Sequence, residues 1–417
     1  MVALPFVLAV SLGAGVGASC DTIAPLARIC TRDGAFVEKK SGKEFRPVGF
    51  HYIRILPDGV HYVFAPSQYD PARVEAMFSD LEKNGFNIVR VFMGNLELTE
   101  GDGLSGAFLD NVVDFLERAT RHRIYVLLVV DWIPGSQRYT SIVANARPDV
   151  GGMQRLLLDK ANITAKSLYL KDFISMLKER RPALLSSIFA YELENEVCID
   201  LDKLPFSQTS GTFACAGKQY DLANEQDLQK LVDTAIVDNA NKLTTAIRSV
   251  DPQAMVAYSV FSYAAVGRSG PNRIRSDVSH DMRCPIRPLA LAKSKLSYVD
   301  LHFYAPNPEG LESDLKSLEW DKLTSACRAE GKPILAGEYG VPSSLAADGE
   351  QSARCATWHL QNLLQKGMTG GIFWTYDCHE QENVVNAKQF DGAIFDALTK
   401  LNTTVQSPVP PIEKSAR

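Results

Sequence analysis

Short apolar runs alternate with longer amphipathic stretches along the chain from residue 45 onward. The runs are rich in β-branched and aromatic residues, as in buried strands, and the stretches between them repeat apolar residues at helical spacing. Eight strands are predicted, at residues 45–50, 86–92, 124–130, 188–193, 255–260, 296–301, 333–336 and 371–374. Helices are predicted between them, at residues 71–84, 108–121, 165–179, 225–250, 311–330 and 351–366. This order indicates parallel β/α units, and eight of them close into an α/β fold, the (β/α)8 TIM barrel.

Smaller segments flank the predicted barrel. Residues 35–45 are predicted as an N-terminal β-hairpin with its turn at Ser41 and Gly42, placed where it plugs the bottom of the barrel. Residues 198–224 form a long polar insertion after the fourth strand. The predicted division is a signal peptide at 1–18, an N-terminal segment with the hairpin at 19–44, one barrel domain at 45–402 and a disordered tail at 403–417.

The first 18 residues carry no charge and run from an apolar stretch into small residues, which is typical of a secretory signal. Val16, Gly17 and Ala18 supply small side chains for cleavage, although no basic residue precedes the apolar stretch. An uncleaved membrane anchor and a lipoprotein attached through Cys20 are the alternatives. No later stretch is long and apolar enough for a membrane span, so we expect a secreted, extracellular protein without membrane contact after cleavage.

Eight cysteines agree with export, because an even number suits disulfides in an oxidising compartment. They lack C-x-x-C spacing, which disfavours a structural zinc site. Cys198 and Cys215 are the first predicted pair, since they flank the insertion after strand four. Sequons at Asn162 and Asn402 predict a glycoprotein and fit the same export route.

The composition is that of an ordinary globular protein, with 46% hydrophobic and 22% charged residues, which excludes disordered, collagen-like and coiled-coil chains. The net charge of -5 comes without a long basic run, so nucleic acid is excluded as a partner. We expect a monomer that acts without a cofactor or metal.

Carboxylates follow the fourth and seventh predicted strands, on the barrel face where functional residues lie. The fourth strand ends in Tyr191-Glu192-Leu193-Glu194-Asn195-Glu196, and the seventh ends in Ala336-Gly337-Glu338-Tyr339-Gly340. Any single one of these acids fits a solvated loop position. Two carboxyl groups on opposite sides of a barrel mouth, however, form the pair that glycoside hydrolysis needs, because one protonates the leaving oxygen while the other attacks or activates water.

Three further polar residues occupy apolar strands. Alternation along strand six places His302 and Tyr304 on the same face, where both could line a site. A core histidine beside a half-buried tyrosine is the alternative. Arg90 lies inside an apolar strand, and its buried charge requires a carboxylate, either a catalytic glutamate or a purely structural partner.

Two tryptophans follow predicted strands and are candidate sugar platforms. Trp374 ends strand eight, and Trp132 follows Asp131 at the end of strand three. Aromatic faces stack on the apolar C–H faces of sugars. A core tryptophan and a loop anchor are the respective alternatives.

In this order and at these strand ends, the functional set resembles glycoside hydrolase family 5, a family of retaining enzymes with a (β/α)8 barrel. The resemblance spans about residues 33–400 and is carried by Arg90, Asn195-Glu196, His302-x-Tyr304, Glu338 and Trp374. Residues 188–196 and the preceding hairpin are most similar to the endo-β-1,4-mannanase branch of that family.

The resemblance implies a role for each matching position. Glu196 matches the acid/base, Glu338 the nucleophile, and Asn195 the residue that binds the sugar 2-hydroxyl. The groups that hold and tune the nucleophile match Arg90, His302 and Tyr304. The platform under the sugar being cleaved matches Trp374.

The sequence also departs from the family. Val197 stands where proline usually follows the acid/base, Glu194 adds a third carboxylate on the same side as Glu196, and strand three has no histidine. The predicted function is a secreted retaining hydrolase that cleaves β-1,4-linked mannan or glucomannan by double displacement.

Four alternatives remain at this point. Two lie in the same family, a β-glucan-active endoglucanase and an exo-β-glucanase. The third is a non-catalytic carbohydrate-binding barrel, which would be expected to lose Glu196 or Glu338. The fourth is a metal-dependent barrel hydrolase, which is disfavoured because His51-Tyr52-Ile53 lacks the His-x-His arrangement on strand one.

Overall fold

Eight parallel strand positions close into a barrel at the centre of the computed structural model, which describes residues 23–277 and 279–405. The strands are β1 (Val48–His51), β2 (Ile88–Phe92), β3 (Tyr125–Val129), β4 (Ile188–Glu192), the interrupted β5 (Val256–Ala257 and Ser259–Phe261), β6 (Val299–Phe303), β7 (Ile334–Tyr339) and β8 (Gly371–Phe373). Each strand pairs in parallel with the next, β8 pairs with β1, and the two halves of β5 bridge β4 and β6. The predicted (β/α)8 fold is confirmed.

Helices separate the strands and cover the barrel. The main ones are α1 (Pro71–Lys83), α2 (Gly106–Arg121), α3 (Lys160–Arg180), α4 (Glu225–Val250), α5 (Pro288–Ala292), α6 (Trp320–Ala329), α7 (Gly349–Gln365) and α8 (Gln389–Val405). Short helices occur at Gln137–Val143, Arg155–Leu158 and Pro308–Ser317, with 3-10 turns at Pro182–Ser186, Ala264–Val266 and Ser343–Leu345.

Helix α1 shows how the sequence specifies these elements. The Asp70 carboxylate accepts hydrogen bonds from the backbone N–H groups of Ala72 and Arg73, and Pro71 occupies the first position, where no intrahelical N–H bond is needed. The helix then buries residues at helical spacing, namely Val74, Met77, Phe78 and Leu81.

The predicted single helix over residues 311–330 is wrong. Two helices, Pro308–Ser317 and α6, cover this segment, and Glu319 between them has a φ of 54°. A residue in the left-handed region cannot continue a right-handed α-helix, so the chain turns there.

The N-terminal hairpin is present, but its ladder begins earlier than predicted. Strand Ile29–Arg32 pairs with Ala35–Glu38 around a turn at Asp33 and Gly34. At the predicted turn, Ser41 and Gly42, the chain reverses again and runs back along the second strand of the hairpin. The backbone N–H of Phe45 then donates to the Phe36 carbonyl at 2.8 Å.

The hairpin closes the bottom of the barrel through Phe36, which is fully buried. The ring of Phe36 makes edge contacts with Phe189 at 5.0 Å and with Tyr298 at 5.2 Å between ring centroids. These two residues lie near the amino ends of β4 and β6, opposite the functional face.

The loops carry three small two-stranded sheets. Thr99–Glu100 pairs with Gly103–Leu104, Cys198–Asp200 pairs with Arg283–Pro285, and Thr212–Cys215 pairs with Lys218–Asp221. The predicted insertion after β4 therefore contains a strand and a hairpin.

The predicted Cys198–Cys215 disulfide is not formed. The described cysteines are all free thiols: Cys30, Cys198, Cys215, Cys284, Cys327, Cys355 and Cys378. Cys198 pairs in a ladder with the segment Arg283–Pro285, whereas Cys215 ends a separate hairpin that contacts α4. The two thiols are thus held in different surroundings.

Both predicted glycosylation sites are buried in the fold. Asn162 is 6% exposed and its amide donates to Asp159 at 2.9 Å, while Asn402 is 1% exposed and donates to the Gly85 carbonyl at 2.9 Å. Each amide is thus hydrogen-bonded inside the folded chain instead of being presented to solvent.

The predicted terminal segments lie mostly outside the described residues. The signal peptide at 1–18 lies entirely outside them, and α8 runs to Val405, so only three residues of the predicted tail are described. No helix in the described ranges has the length and apolar character that a membrane crossing requires.

Candidate active site

The carboxyl ends of the barrel strands bring the predicted polar residues into one hydrogen-bonded cluster. Arg90 comes from β2, Asn195 and Glu196 follow β4, His302 lies on β6 and Glu338 on β7. Arg90, His302 and Glu338 are buried, at 0%, 2% and 4% exposure. The arrangement places two carboxyl groups across the barrel mouth, as expected from the strand ends.

The Arg90 guanidinium connects three partners. It makes a bidentate pair with Glu192, at 2.7 and 2.5 Å, and donates to Asn195 Oδ1 at 2.8 Å and Glu338 Oε2 at 3.2 Å. Burial opposes the charge of Arg90, but Glu192 outweighs it and raises the pKa of Arg90. A salt bridge from Arg90 to Glu338 is present, yet the stronger, two-pronged partner is Glu192.

Both carboxyl oxygens of Glu338 are held by donors. The Tyr304 hydroxyl donates to Oε1 at 2.5 Å, and Arg90 donates to Oε2. His302 Nδ1 also lies 3.5 Å from Oε2. These contacts fix the orientation of the carboxyl group.

Glu196 is positioned by an unusual backbone conformation. Its φ of 48° is left-handed, and its backbone N–H donates to Ser259 Oγ at 2.9 Å. Its side chain, 27% exposed, lies 3.0 Å from His302 Nδ1 through Oε1. Glu196 is therefore the more accessible of the two carboxyl groups.

The pKa shifts of Glu338 and Glu196 are opposite to those expected for an ionised nucleophile and a protonated acid. Burial raises the pKa of Glu338, and the nearby His302 and Arg90 only partly offset it. Burial also acts to raise the pKa of Glu196, but the hydrogen bond and charge of His302 outweigh it and lower that pKa. His302 faces both groups, so its charge acts to lower the pKa of each.

The three groups at the centre of the site are very close. Among the described residues, one ligand-type atom each of Glu196, His302 and Glu338 lies within 4.8 Å of the other two. A hydrogen bond between His302 Nδ1 and Glu196 at 3.0 Å and an ion-pair contact between Nδ1 and Glu338 at 3.5 Å account for this spacing.

Trp374 lies beside this centre and is held firmly. Its indole N–H donates to Gln381 Oε1 at 2.7 Å, and its ring makes edge contacts with His51 and Phe92 at 4.8 and 6.1 Å. It is 6% exposed, so only a small part of the ring faces the mouth.

Trp132 stands at the end of β3 and is 52% exposed, with a left-handed φ of 58°. Buried Lys166 holds this segment, because its ammonium donates to the carbonyls of Val130 and Trp132 at 2.5 and 3.1 Å. Lys166 also lies 3.7 Å from Glu194. Glu194 is thus the buried partner of a lysine, with 3% exposure.

Two members of the cluster were not selected by sequence reasoning. Glu192 belongs to the strand-four motif, and its position inside the strand, two residues before Glu194, is the signal that could have identified it. His51 ends β1; its Nε2 lies 2.9 Å from the Gly337 carbonyl and its Nδ1 lies 3.1 Å from Arg90 Nη1. Burial and Arg90 lower the pKa of His51, so the imidazole is neutral and donates through Nε2.

Comparisons with known proteins agree with this fold. The model of the cellulase family (glycosyl hydrolase family 5) matches residues 219–380, a segment that contains His302, Tyr304, Glu338 and Trp374. A search of curated proteins gives no match.

Solved structures share the fold at low sequence identity. The endo-1,4-β-mannanase from Rhizomucor miehei is 15% identical, with a TM-score of 0.57, over 91% of this chain and 100% of that one. The endo-β-1,4-mannanase from Thermotoga petrophila is 15% identical, with a TM-score of 0.56, over 88% and 79%. The exo-β-1,4-mannosidase Op5Man5 from Opitutaceae bacterium strain TAV5 is 16% identical, with a TM-score of 0.55, over 90% and 63%.

The predicted resemblance to glycoside hydrolase family 5 is therefore confirmed. Residues 219–380 match that family, and the whole described chain has its barrel fold. The class supported by fold and family match is a glycoside hydrolase, an enzyme that acts on oligosaccharide or polysaccharide substrates.

Proposed function

We propose that this protein is a retaining β-glycoside hydrolase that cleaves β-1,4-linked mannan or glucomannan by double displacement. In this proposal Glu338 is the nucleophile and Glu196 the acid/base. Glu196 protonates the leaving oxygen while Glu338 attacks the anomeric carbon, and Glu196 then activates water against the glycosyl-enzyme.

The observation that carries the proposal is the short spacing of the two carboxyl groups. One carboxyl oxygen of Glu196 and one of Glu338 lie within 4.8 Å of each other, and His302 Nδ1 lies 3.0 and 3.5 Å from the two groups. Retaining enzymes hold their carboxyl groups about 5–5.5 Å apart, whereas inverting enzymes need roughly 6.5–9.5 Å to admit a water molecule. The close approach of the two oxygens is in keeping with the shorter of these separations, which supports direct attack by a carboxylate.

The hydrogen bonds favour Glu338 over Glu196 as the nucleophile. Arg90 and Tyr304 both donate to Glu338, and such donors stabilise the anionic form that attacks. Glu196 is free to meet a leaving oxygen. A glycosidic oxygen can accept a hydrogen bond only from protonated Glu196, so a bound substrate favours the protonated form of Glu196.

Three further residues at the mouth have proposed roles in binding the substrate. Asn195 Oδ1 accepts a hydrogen bond from Arg90, which leaves the amide N–H groups of Asn195 for a sugar 2-hydroxyl. Trp374 and Trp132 provide aromatic surface at the mouth, the first under the cleaved sugar and the second further out.

Mannan is the first proposed substrate, since the solved structures of similar fold include mannan-active enzymes, and β-glucan is the second, since the matching family is described as cellulase. Purified protein should be tested on mannan, glucomannan, a soluble cellulose derivative and β-1,3-glucan, with Glu338→Gln as the inactive control. Activity highest on β-1,4-mannan supports the first substrate, and release of monosaccharide only from chain ends contradicts endo action.

We further propose that the protein is secreted after removal of residues 1–18. Expression of the full chain in a secreting host, followed by N-terminal sequencing of the exported protein, tests this. A mature terminus at Ser19 supports the proposal, and retention of Met1 in a membrane fraction contradicts it.

A further inference from the structure

Asp300 lies beneath the proposed catalytic centre. It sits on β6 two residues before His302, and strand alternation places both side chains on the same face of the strand. Asp300 is fully buried, at 0% exposure. A carboxyl group at such a position requires compensation, because an uncompensated buried charge is costly.

Asp300 and His302 both have polar atoms without hydrogen bonds where their side chains approach each other. Among the described residues, neither oxygen of Asp300 has a hydrogen-bond partner, and Nε2 of His302 has none either. These unpaired atoms face each other, with Oδ1 of Asp300 lying 4.0 Å from Nε2 of His302. The other ring nitrogen of His302 contacts Glu196 and Glu338.

Gly337 makes room for this carboxyl group. A Cβ atom at position 337 would lie 1.8 Å from Oδ1 of Asp300, closer than any non-bonded contact allows. The residue directly before Glu338 thus has no side chain where Asp300 approaches the backbone. The Asp300 carboxyl group therefore packs against β7, the strand that carries Glu338.

Several charged groups surround Asp300 and His302. The groups that face Asp300 are Glu192 from β4, Arg90 from β2, Glu338 from β7, His302 from its own strand, and Tyr298 directly before that strand. His302 is also faced by Glu196, which follows β4, and by His51 from β1. Burial and Glu192 raise the pKa of Asp300 to about 8. Burial opposes the charge of His302, but Glu338 and Glu196 raise its pKa to about 9.

We propose that Asp300 is a positioning residue whose carboxyl group, when ionised, is the counter-charge of the His302 imidazolium across this gap and so favours the doubly protonated ring, whose Nδ1–H faces Glu196 and Glu338. A neutral histidine without this partner could carry its single proton on Nε2. Its Nδ1 lone pair would then point at two carboxyl groups, and the hydrogen bond to Glu196 would be lost. The inference rests on the proposed function only in naming Glu196 and Glu338 as the reacting groups.

The test is 15N NMR of the histidine side chains in the full chain, from about pH 5 to pH 10, in the wild type and in Asp300→Asn. The His302 signals are assigned by their loss in His302→Gln. Asparagine has nearly the same size as aspartate but cannot become an anion, so His302 loses its counter-charge. We expect its proton affinity to fall about tenfold or more, which is one pH unit in the titration midpoint.

The matched control is Asp314→Asn. Asp314 is another buried acid, with its pKa raised by burial to about 6, but it is hydrogen-bonded by Ser262 instead of facing His302. We expect the His302 titration to be unchanged in this control. An unchanged titration in folded Asp300→Asn, or an equal shift in Asp314→Asn, overturns the proposal.

The wild type alone gives a second result that does not depend on the folding of any variant. The proposal requires Nδ1 of His302 to be protonated at neutral pH, and a bare Nδ1 there overturns it. Neither measurement uses activity, so this inference can fail while the proposed function stands, and the reverse is also true.

Discussion

The hydroxyl of Tyr304 donates to Oε1 of Glu338 across 2.5 Å, at the point where β6 and β7 reach the barrel mouth. Arg90 holds the other carboxyl oxygen from β2. The proposed nucleophile is thus oriented by donors from two other strands. The Tyr304 bond stabilises the carboxylate, and so it opposes the effect of burial, which raises the pKa of Glu338.

Tyr304→Phe is expected to slow the reaction and to shift its pH dependence. Hydrogen bonds to charged groups contribute about 1.5–3 kcal/mol, so kcat should fall roughly ten- to a hundredfold. Loss of a donor that lowers the pKa of Glu338 raises that pKa further, so the acid limb of kcat/KM moves to higher pH. Tyr139→Phe, which removes a hydroxyl bonded to Asp172 on the helix side, is the control. An acid limb that stays in place contradicts the account.

Trp132→Ala is expected to weaken binding of long substrates without slowing the chemistry. The ring is half exposed at the mouth, and Lys166 holds its backbone. KM for polysaccharide should rise at least severalfold, whereas kcat/KM for a small aryl glycoside should stay unchanged. Equal losses on both substrates would place Trp132 at the reacting sugar, against this interpretation.

Gly337→Ala is expected to destabilise the fold. The added Cβ would overlap the Asp300 carboxyl group, and such overpacking typically costs about 1–3 kcal/mol. Gly135→Ala is the matched control, because a Cβ there meets no atom within 4 Å. Thermal denaturation should show a lower Tm for the first variant only. Equal melting temperatures would show that Asp300 is not packed against Gly337.

Asp314→Asn is expected to stabilise the protein at neutral and alkaline pH. Burial raises the pKa of Asp314 to about 6, above its usual value near 4, so the folded state favours the protonated form. The stabilising effect of that protonation is complete at low pH and is lost as pH rises through about 6. The gain in Tm should therefore be larger at pH 8 than at pH 5. A difference that does not depend on pH contradicts this assignment.

The repeating pattern of the chain was sufficient to predict the barrel. The eight strands and the strand-end positions of Glu196, His302 and Glu338 follow from local alternation, because parallel strands deliver their carboxyl ends to one face. The bidentate pairing of Arg90 with Glu192 could not be predicted in this way. It joins β2 to β4 across the barrel interior, and no local pattern records which of three nearby glutamates points inward.

Other errors have similar physical causes. The predicted Cys198–Cys215 pair assumed that an insertion brings its ends together, whereas Cys198 instead pairs its backbone with Arg283–Pro285. The sequons at Asn162 and Asn402 match a surface motif, but tertiary packing buries both amides. Asp300 was passed over because its significance depends on Gly337, which lies on the neighbouring strand.

The rival for the acid/base role is Glu194, which alternation places on the same side as Glu196. Glu194 lies 3.7 Å from buried Lys166, whereas Glu196 contacts His302 and is partly exposed. The structure thus offers a leaving oxygen better access to Glu196. Glu194→Ala is therefore the necessary companion to Glu196→Ala in any rescue experiment.

The most direct test of the account is azide rescue of Glu196→Ala on an aryl β-glycoside with a good leaving group. Such a substrate forms the glycosyl-enzyme without acid assistance, and azide then attacks without needing a base. The account predicts that added azide restores turnover in Glu196→Ala with a β-glycosyl azide as the product by NMR, that any azide product of Glu338→Ala has the inverted α configuration, and that azide has no effect on Glu194→Ala. Rescue of Glu194→Ala instead of Glu196→Ala, or hydrolysis by the wild type with inversion at the anomeric carbon, would contradict it.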